Sequence, residues 1–267
     1  MPANPPLPMI SVRAKKHLGQ HFLNDTNIAH QIVDSLIPGI SAKVLEIGPG
    51  KGVLSAILLN RPHFDTTFVE IDQESVDYLT AHLPAIEGKI LREDFLRFDL
   101  KAHFDEQVSI IGNLPYNISS QIFFKVLEHR SQIPQVVCMI QKEVAERIAA
   151  PPGSKTYGIL SVLLQAYYKI EYLFTVHEHV FTPPPKVKSG VIRLTRIRNT
   201  PLPCNEVLFK QVVKTGFNQR RKTLLNSLKP LLGGVRPSDP IFLLRPEQLS
   251  VEQFVYLTDL IAGLQNR

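Results

Sequence analysis

Apolar residues at 28, 29, 32, 33, 36 and 37 recur at helical spacing and give segment 27–37 one apolar face, the pattern of an amphipathic helix. Asp25 stands where an N-cap belongs, and Pro38-Gly39 closes the run. The period then changes. Lys43-Val-Leu-Glu-Ile reads as a strand, 51–59 as a helix opening from a glycine turn, 66–71 as the next strand and 74–83 as the next helix. A third short strand is expected at roughly 89–91, another at 108–111, and a helix at 119–129. Residues 136–140, Val-Val-Cys-Met-Ile, are continuously apolar, as in a strand covered on both faces.

This strand–helix alternation predicts an α/β fold of the doubly wound type. A helix is expected over 159–168, then late strands at 172–176 and 191–197, joined by a connection too long for a tight turn. If they pair, the sheet is mixed. The character changes at Thr200-Pro-Leu-Pro. Helices are expected at 206–215, at 222–232 until Gly233-Gly234 breaks it, and from Pro246 to Leu264, with Ser250 and Gln253 spaced as a capping box. The resulting division is a proline-rich, poorly ordered tail at 1–11, a sheet domain at 12–198 and a small helical domain at 199–267.

Charge adds a partner class. Of the 30 Lys and Arg residues, 11 fall within 181–230, against one of the 24 acids, Glu206. A basic region attached to a body with 19 basic and 23 acidic side chains points to a polyanion. No apolar run is long enough to span a membrane, and the N-terminal residues lack the apolar core of a secretory signal. Cys138 and Cys204 form no metal-type pair, so a reducing, cytoplasmic setting is expected. No zinc pattern occurs, and no metal is expected. No oligomerisation stripe is evident, which leaves a monomer as the default.

Chemistry enters at Glu46-Ile-Gly48-Pro-Gly50-Lys-Gly52, which follows the first strand of the alternation. Glycines permit a tight turn and close approach of a ligand to the backbone. The P-loop pattern is missing, because Lys51 is followed by glycine. Glu70 ends the next strand, where a carboxylate accepts from ribose hydroxyls; Asp72 lies beyond the strand end and suits that role less well. Glu93 and Asp94 both follow the third strand and compete for an adenine amino group, with Phe95 able to cover the ring. Glu46 would repel a pyrophosphate but tolerate a sulfonium and an ammonium. That favours S-adenosylmethionine over NAD.

Asn113-Leu114-Pro115-Tyr116 follows the apolar run at 108–111, at the strand end where ligands of such sheets gather. The Asn113 side-chain oxygen and the Leu114 carbonyl can accept the two hydrogens of an exocyclic amine, aiming its lone pair at a methyl donor. Tyr116 can stack on the base. Phe181-Thr-Pro-Pro-Pro-Lys186-Val-Lys188-Ser189 offers an opposite wall in Phe181 and phosphate contacts in Lys186 and Lys188; a proline-rich docking motif is the alternative. Arg220, Arg221 and Lys222, expected on a helix, suit a phosphate backbone. Lys15-Lys-His-Leu-Gly-Gln20-His21-Phe-Leu23 can fold over the cofactor or receive RNA, unless His21 is merely exposed.

Five ordered motifs resemble the universal small-subunit ribosomal RNA adenine dimethyltransferases: 16–23, 46–54, 113–118, 181–189 and Phe217-Asn-Gln-Arg-Arg-Lys-Thr-Leu224. The resemblance covers roughly 12–263. It implies a Rossmann-like class I S-adenosylmethionine-dependent methyltransferase sheet with a small C-terminal helical domain. The implied reaction is dimethylation of N6 on two adjacent adenosines near the 3′ end of 16S rRNA, within a pre-30S particle. The implied cofactor contacts are His21, Leu23, Gly48, Glu70, Asp94 and Asn113, which favours Asp94 over Glu93. The family usually has Asn where this chain has His21. Enzymes that methylate an adenine of large-subunit rRNA share the 113–116 motif type, so that substrate is an alternative. A non-catalytic small-subunit assembly factor is another. No segment resembles a DNA-target domain.

Overall fold

The computed structural model describes residues 12–265; the tail expected over 1–11 lies outside the described residues. Gly19, with φ 65°, ends a short 3-10 turn at Lys16–Leu18 and leads into β1 (Phe22–Leu23). In α1 (Thr26–Asp34) the Asp25 carboxylate accepts from Ile28 N at 3.0 Å, satisfying one of the free amides of the first turn. Ala29, Ile32 and Val33 form its buried face.

The sheet then builds as the alternation requires: β2 (Lys43–Ile47), α2 (Val53–Leu59), β3 (Asp65–Val69), α3 (Gln73–His82), β4 (Ile90–Leu91), α4 (Leu100–His103), β5 (Val108–Asn113), α5 (Ser119–Glu128) and β6 (Gln135–Gln141). Strands β4, β3, β2, β5 and β6 are parallel neighbours in that order. Successive side chains of a strand face opposite ways, and the two covered faces are explicit. Val136, Cys138 and Ile140 join one buried cluster, and Val137 and Met139 the other. The first cluster lies under α5 and the second under α1 and α2.

Three elements follow that depart from the expected pattern. Helix α6 (Lys142–Ala149) was not anticipated; it buries only Ala145 and Ile148. Helix α7 (Ile159–Gln165) stops short of Tyr168, which instead opens β7 (Tyr168–Val176). The Tyr168 hydroxyl donates to the Ile133 carbonyl at 2.9 Å, a sheet contact that outweighs continuation of the helix. β8 (Phe181–Thr182) leaves the sheet to pair antiparallel with β1. β9 (Ser189–Arg196) lies between β6 and β7, antiparallel to both, so the sheet is mixed.

Beyond β9 the regular structure is helical: α8 (Glu206–Asn218), α9 (Leu224–Ser227) and α10 (Val251–Gln265). The helix expected over 222–232 shrinks to α9 plus a 3-10 turn at Lys229–Leu231, because Pro230 has no amide hydrogen to continue the ladder. The box before α10 is present: Ser250 N donates to Gln253 Oε1 at 2.9 Å, and Gln253 N to Ser250 Oγ at 3.3 Å. Phe209, Val212, Phe254 and Leu257 extend the same buried cluster that holds Val162 and Leu164 of α7. Glu206, the lone acid of the basic stretch, is ion-paired with Arg130 at 2.6 Å and accepts from the Tyr167 hydroxyl at 2.7 Å.

At Gly52 φ is +79°, and a Cβ there would sit 2.5 Å from Leu79 and 2.8 Å from Leu83. Gly52→Ala therefore combines backbone strain with a clash between α2 and α3. It should lower unfolding free energy by about 1–3 kcal/mol, measured by urea denaturation.

Candidate active site

A cavity opens at the carboxyl ends of β2, β3 and β5, where ligands of open α/β sheets bind. Segments 17–23 and 113–118 both line it. His21, Leu23, Gly48, Glu70, Asp94 and Asn113 all border this one space, as do Leu114 and Tyr116.

The glycine turn makes the floor. Gly48 has φ +64°, and a Cβ there would meet nothing within 4 Å. Its bare backbone thus faces open space, as close approach of a ligand requires. Gly48 N donates to Val69 O at 2.9 Å, fastening the turn to β3. Glu70 is buried at 3% exposure. Its two oxygens accept from Gly50 N at 3.0 Å and Asp72 N at 2.9 Å. Each keeps a lone pair free, enough for a pair of ribose hydroxyls. Burial raises its pKa, against the pull of those amide bonds.

Glu46 is 1% exposed and accepts from Ser55 Oγ at 2.7 Å. Burial pushes its pKa up to about 8, the hydrogen bond from Ser55 opposes this, and the charge of Glu70 adds to it. With no cation present Glu46 is therefore mostly neutral at pH 7. The charge read from the sequence is conditional on what occupies the cavity.

After β4, Asp94 and Glu93 both line the cavity and differ in their partners. Asp94 Oδ1 accepts from Leu96 N at 2.9 Å. The Glu93 carboxylate lies 3.6 Å from His103 Nε2. Phe95, 4% exposed, lines the cavity beside them.

At the end of β5 the Asn113 side chain donates through Nδ2 to the His21 carbonyl at 2.9 Å. That bond assigns Oδ1 as the amide's remaining acceptor. His21 does more than border the cofactor space: its Nδ1 meets the Pro183 carbonyl at 2.8 Å, and its ring stacks on Tyr116 with centroids 5.5 Å apart. Paired with a carbonyl, Nδ1 is the protonated nitrogen. The Tyr116 hydroxyl is 2.6 Å from Ser189 Oγ, and burial raises its pKa. The ring is thereby fixed from both sides.

Two expectations need correction. Phe181 is 3% exposed and belongs to the buried cluster with Leu23 and Ile32. It is not among the residues lining the cavity. Its apolar ring is held inward by the β1–β8 pairing, Leu23 opposite Phe181. Arg220, Arg221 and Lys222 lie not on a helix but in the turn between α8 and α9, closed by Lys222 N donating to Gln219 O at 2.8 Å. Arg220 donates to the Ser154 carbonyl at 3.2 Å, so it is partly committed to structure. Arg221, Lys222, Lys186 and Lys188 are exposed.

The sequence reading also missed the clasp at the cavity rim. Lys15 Nζ pairs with Asp72 at 2.5 Å and with Glu74 at 3.2 Å, and Gln20 Nε2 reaches Asp72 at 3.3 Å. The signal was the Lys-Gln spacing in 15–20, but nothing in one sequence names Asp72 as its partner. Among the described residues no group of three or more His, Cys, Asp or Glu could hold a metal ion, and no helix is long and apolar enough to cross a membrane.

The family model described as ribosomal RNA adenine dimethylase matches residues 11–250. The chain belongs to the ribosomal RNA adenine dimethylase family. It is 63% identical over 249 residues to the ribosomal RNA small subunit methyltransferase A of Parabacteroides distasonis, covering 92% of this chain and 93% of that one. The protein of the same name from Cytophaga hutchinsonii is 58% identical, covering 96% of this chain and all of its own. Among solved structures, a dimethyladenosine transferase from Plasmodium falciparum shares the fold of this rRNA adenine dimethylase with TM-score 0.77 at 24% identity, covering 92% and 98% of the two chains. The 23S rRNA methyltransferase ErmE aligns with TM-score 0.67 at 26% identity, covering 89% and 99%.

The Glu46 environment gives a pH test. A carboxyl whose folded pKa is raised binds its proton more tightly in the folded state. Its contribution is therefore present at low pH and lost as pH rises from the ordinary carboxyl range through about 8. Glu46→Gln should remove that loss: relative to the parent dimethylase, the ligand-free variant gains stability from pH 5.5 to pH 8.5. Urea midpoints at the two pH values check this, and a constant difference would refute it.

Proposed function

We propose that this protein transfers methyl groups from S-adenosylmethionine to N6 of two adjacent adenosines near the 3′ end of small-subunit rRNA, giving N6,N6-dimethyladenosine. The observation that carries the reading is the Asn113 amide, whose nitrogen is committed to the His21 carbonyl and whose oxygen is left to accept. Family membership supports the adenine target, and the high identity to small-subunit methyltransferases supports the choice of rRNA.

Glu70 and Asp94 suit the ribose and adenine of the cofactor, and Gly48 its close approach to the backbone. Glu46 and Leu23 border the same space. When bound, S-adenosylmethionine supplies an electrophilic methyl on a sulfonium. The rest is orientation. An adenine amine is a weak nucleophile because its lone pair is delocalised into the ring. Asn113 Oδ1 accepts one N6 hydrogen and the Leu114 carbonyl the other, which draws the nitrogen toward tetrahedral geometry. The Tyr116 ring, braced by His21 and Ser189, supports the base once it has left its stack. A second transfer requires the pocket to accept an N6 that already carries a methyl and offers one hydrogen. Lys186, Lys188, Arg221 and Lys222 supply phosphate contacts. The substrate state we propose is the cytoplasmic pre-30S particle, with a role in its assembly.

Asn113→Ala should lower turnover about 10²-fold or more, the scale for removing one preorganised polar group, while particle affinity stays within a few-fold. The assay is methyl transfer to undermethylated small-subunit particles, with modified nucleosides identified by mass spectrometry. Turnover within a few-fold of the parent would refute the role. Dimethyladenosine formed only in large-subunit rRNA would replace the substrate.

A further inference from the structure

Helix α8 carries Lys210 and Lys214, one turn apart, and both ammonium groups lie over a single ring, Phe124 of α5, at 5.8 and 5.1 Å from its centroid. Like charges at this helical spacing repel. Among the described residues neither lysine is within ion-pair distance of a carboxylate. The one acid in the surrounding basic stretch, Glu206, is taken up by Arg130 and Tyr167. Two cations thus sit against one aromatic ring, and among the described residues neither is paired with a carboxylate.

The place of this pair matters as much as its charge. Phe124 is half-buried and also lines an open cleft with Leu96, Arg97, Gln121 and Lys125. Leu96 borders both that cleft and the cofactor cavity. The Arg97 side chain is 91% exposed at the cleft edge. The acids of the cleft are Asp99 and Glu128. Asp99 is exposed and caps α4, accepting from Lys101 N at 3.0 Å and Ala102 N at 3.3 Å, and Glu128 is exposed as well. Leu96 thus joins the active-site cavity to this cleft, and Phe124 joins the cleft to the lysine pair of α8.

We propose that Lys210 and Lys214, seated on Phe124, form a docking site for the sugar–phosphate backbone of the rRNA substrate, separate from the 186–188 loop and the 220–222 turn. The inference rests on the rRNA reading above and gives it a second point of attachment. A phosphate placed between the two ammonium groups relieves their repulsion, and the ring beneath keeps both side chains extended toward it. Attachment on α8 spans the sheet and the helical segment, so RNA bound there holds the two in one orientation while the target adenosine enters the cavity.

The test measures binding of undermethylated small-subunit particles across a salt series for the parent, Lys210→Gln/Lys214→Gln, and Lys210→Arg/Lys214→Arg. Each lost phosphate contact removes roughly 0.7–0.9 from the slope of log affinity against log salt. The Gln pair should weaken binding at low salt and reduce the slope by about 0.7–0.9, the loss of one phosphate, with S-adenosylmethionine affinity and turnover at saturating particle unchanged. The Arg pair should restore the slope. If the lysines only pack on Phe124, the Gln pair lowers Tm and leaves the slope intact, and the proposal is overturned. If the parent methylates the particle but the Gln pair binds with parental affinity and slope, the docking site fails while the substrate reading stands. If the parent neither binds nor methylates the particle, both fall.

Discussion

The hydrogen bond from Asn113 Nδ2 to the His21 carbonyl joins residues 92 apart in sequence and decides which end of an amide meets the substrate. An asparagine at a strand end is otherwise free to present either its donor or its acceptor. Only the acceptor can take a hydrogen from an amine whose lone pair must point elsewhere. Everything that holds His21 in place therefore serves the chemistry: the stacking on Tyr116, the contact to Pro183, and the Lys15–Asp72 pair that fastens the same segment to the start of α3. Beyond its carbonyl, His21 contributes its ring, which makes both the stack and the tie.

Charge is sorted by depth. Two carboxyls, Glu46 and Glu70, are buried in the cavity wall, while Lys186, Lys188, Arg221 and Lys222 are exposed. Burial raises the pKa of both, and holds Glu46 mostly neutral at pH 7 when the cavity holds no cation. A sulfonium or ammonium entering there meets groups able to ionise in response. The outer surface meets a polyanion whose attraction is long-ranged and screened by salt. A cationic ligand and an anionic substrate are thus drawn to different depths of one site.

How much of this was legible in one sequence depended on the range of the interaction. The strands at 43–47 and 136–140 and the cap at Asp25 are local signals, and they appear where the periodicity put them. The lining positions Gly48, Glu70 and Asp94 follow from strand ends, because a parallel sheet brings all such ends together. Phe181 shows the limit. An aromatic beside a proline run reads as a ligand wall, but strand pairing with Leu23 turns it into the core. Arg220 shows a similar limit, since the Ser154 carbonyl that engages part of its guanidinium is 66 residues away. Helix α6 was overlooked although Val144, Ala145, Ile148 and Ala149 share one face, because it is short, half charged and follows β6 without a break.

The β1–β8 ribbon has a consequence for when the site comes into being. Phe22 and Leu23 pair with Thr182 and Phe181, and His21 reaches Pro183 across 162 residues. Closing so long a loop is entropically costly and comes late among the contacts of a fold. During synthesis the parallel strands can assemble as they emerge, N-terminal part first. The roof of the cavity has no partner until the chain beyond residue 183 has left the ribosome. A nascent chain short of that point holds the glycine turn and the Asn113 motif without the strand that closes over them.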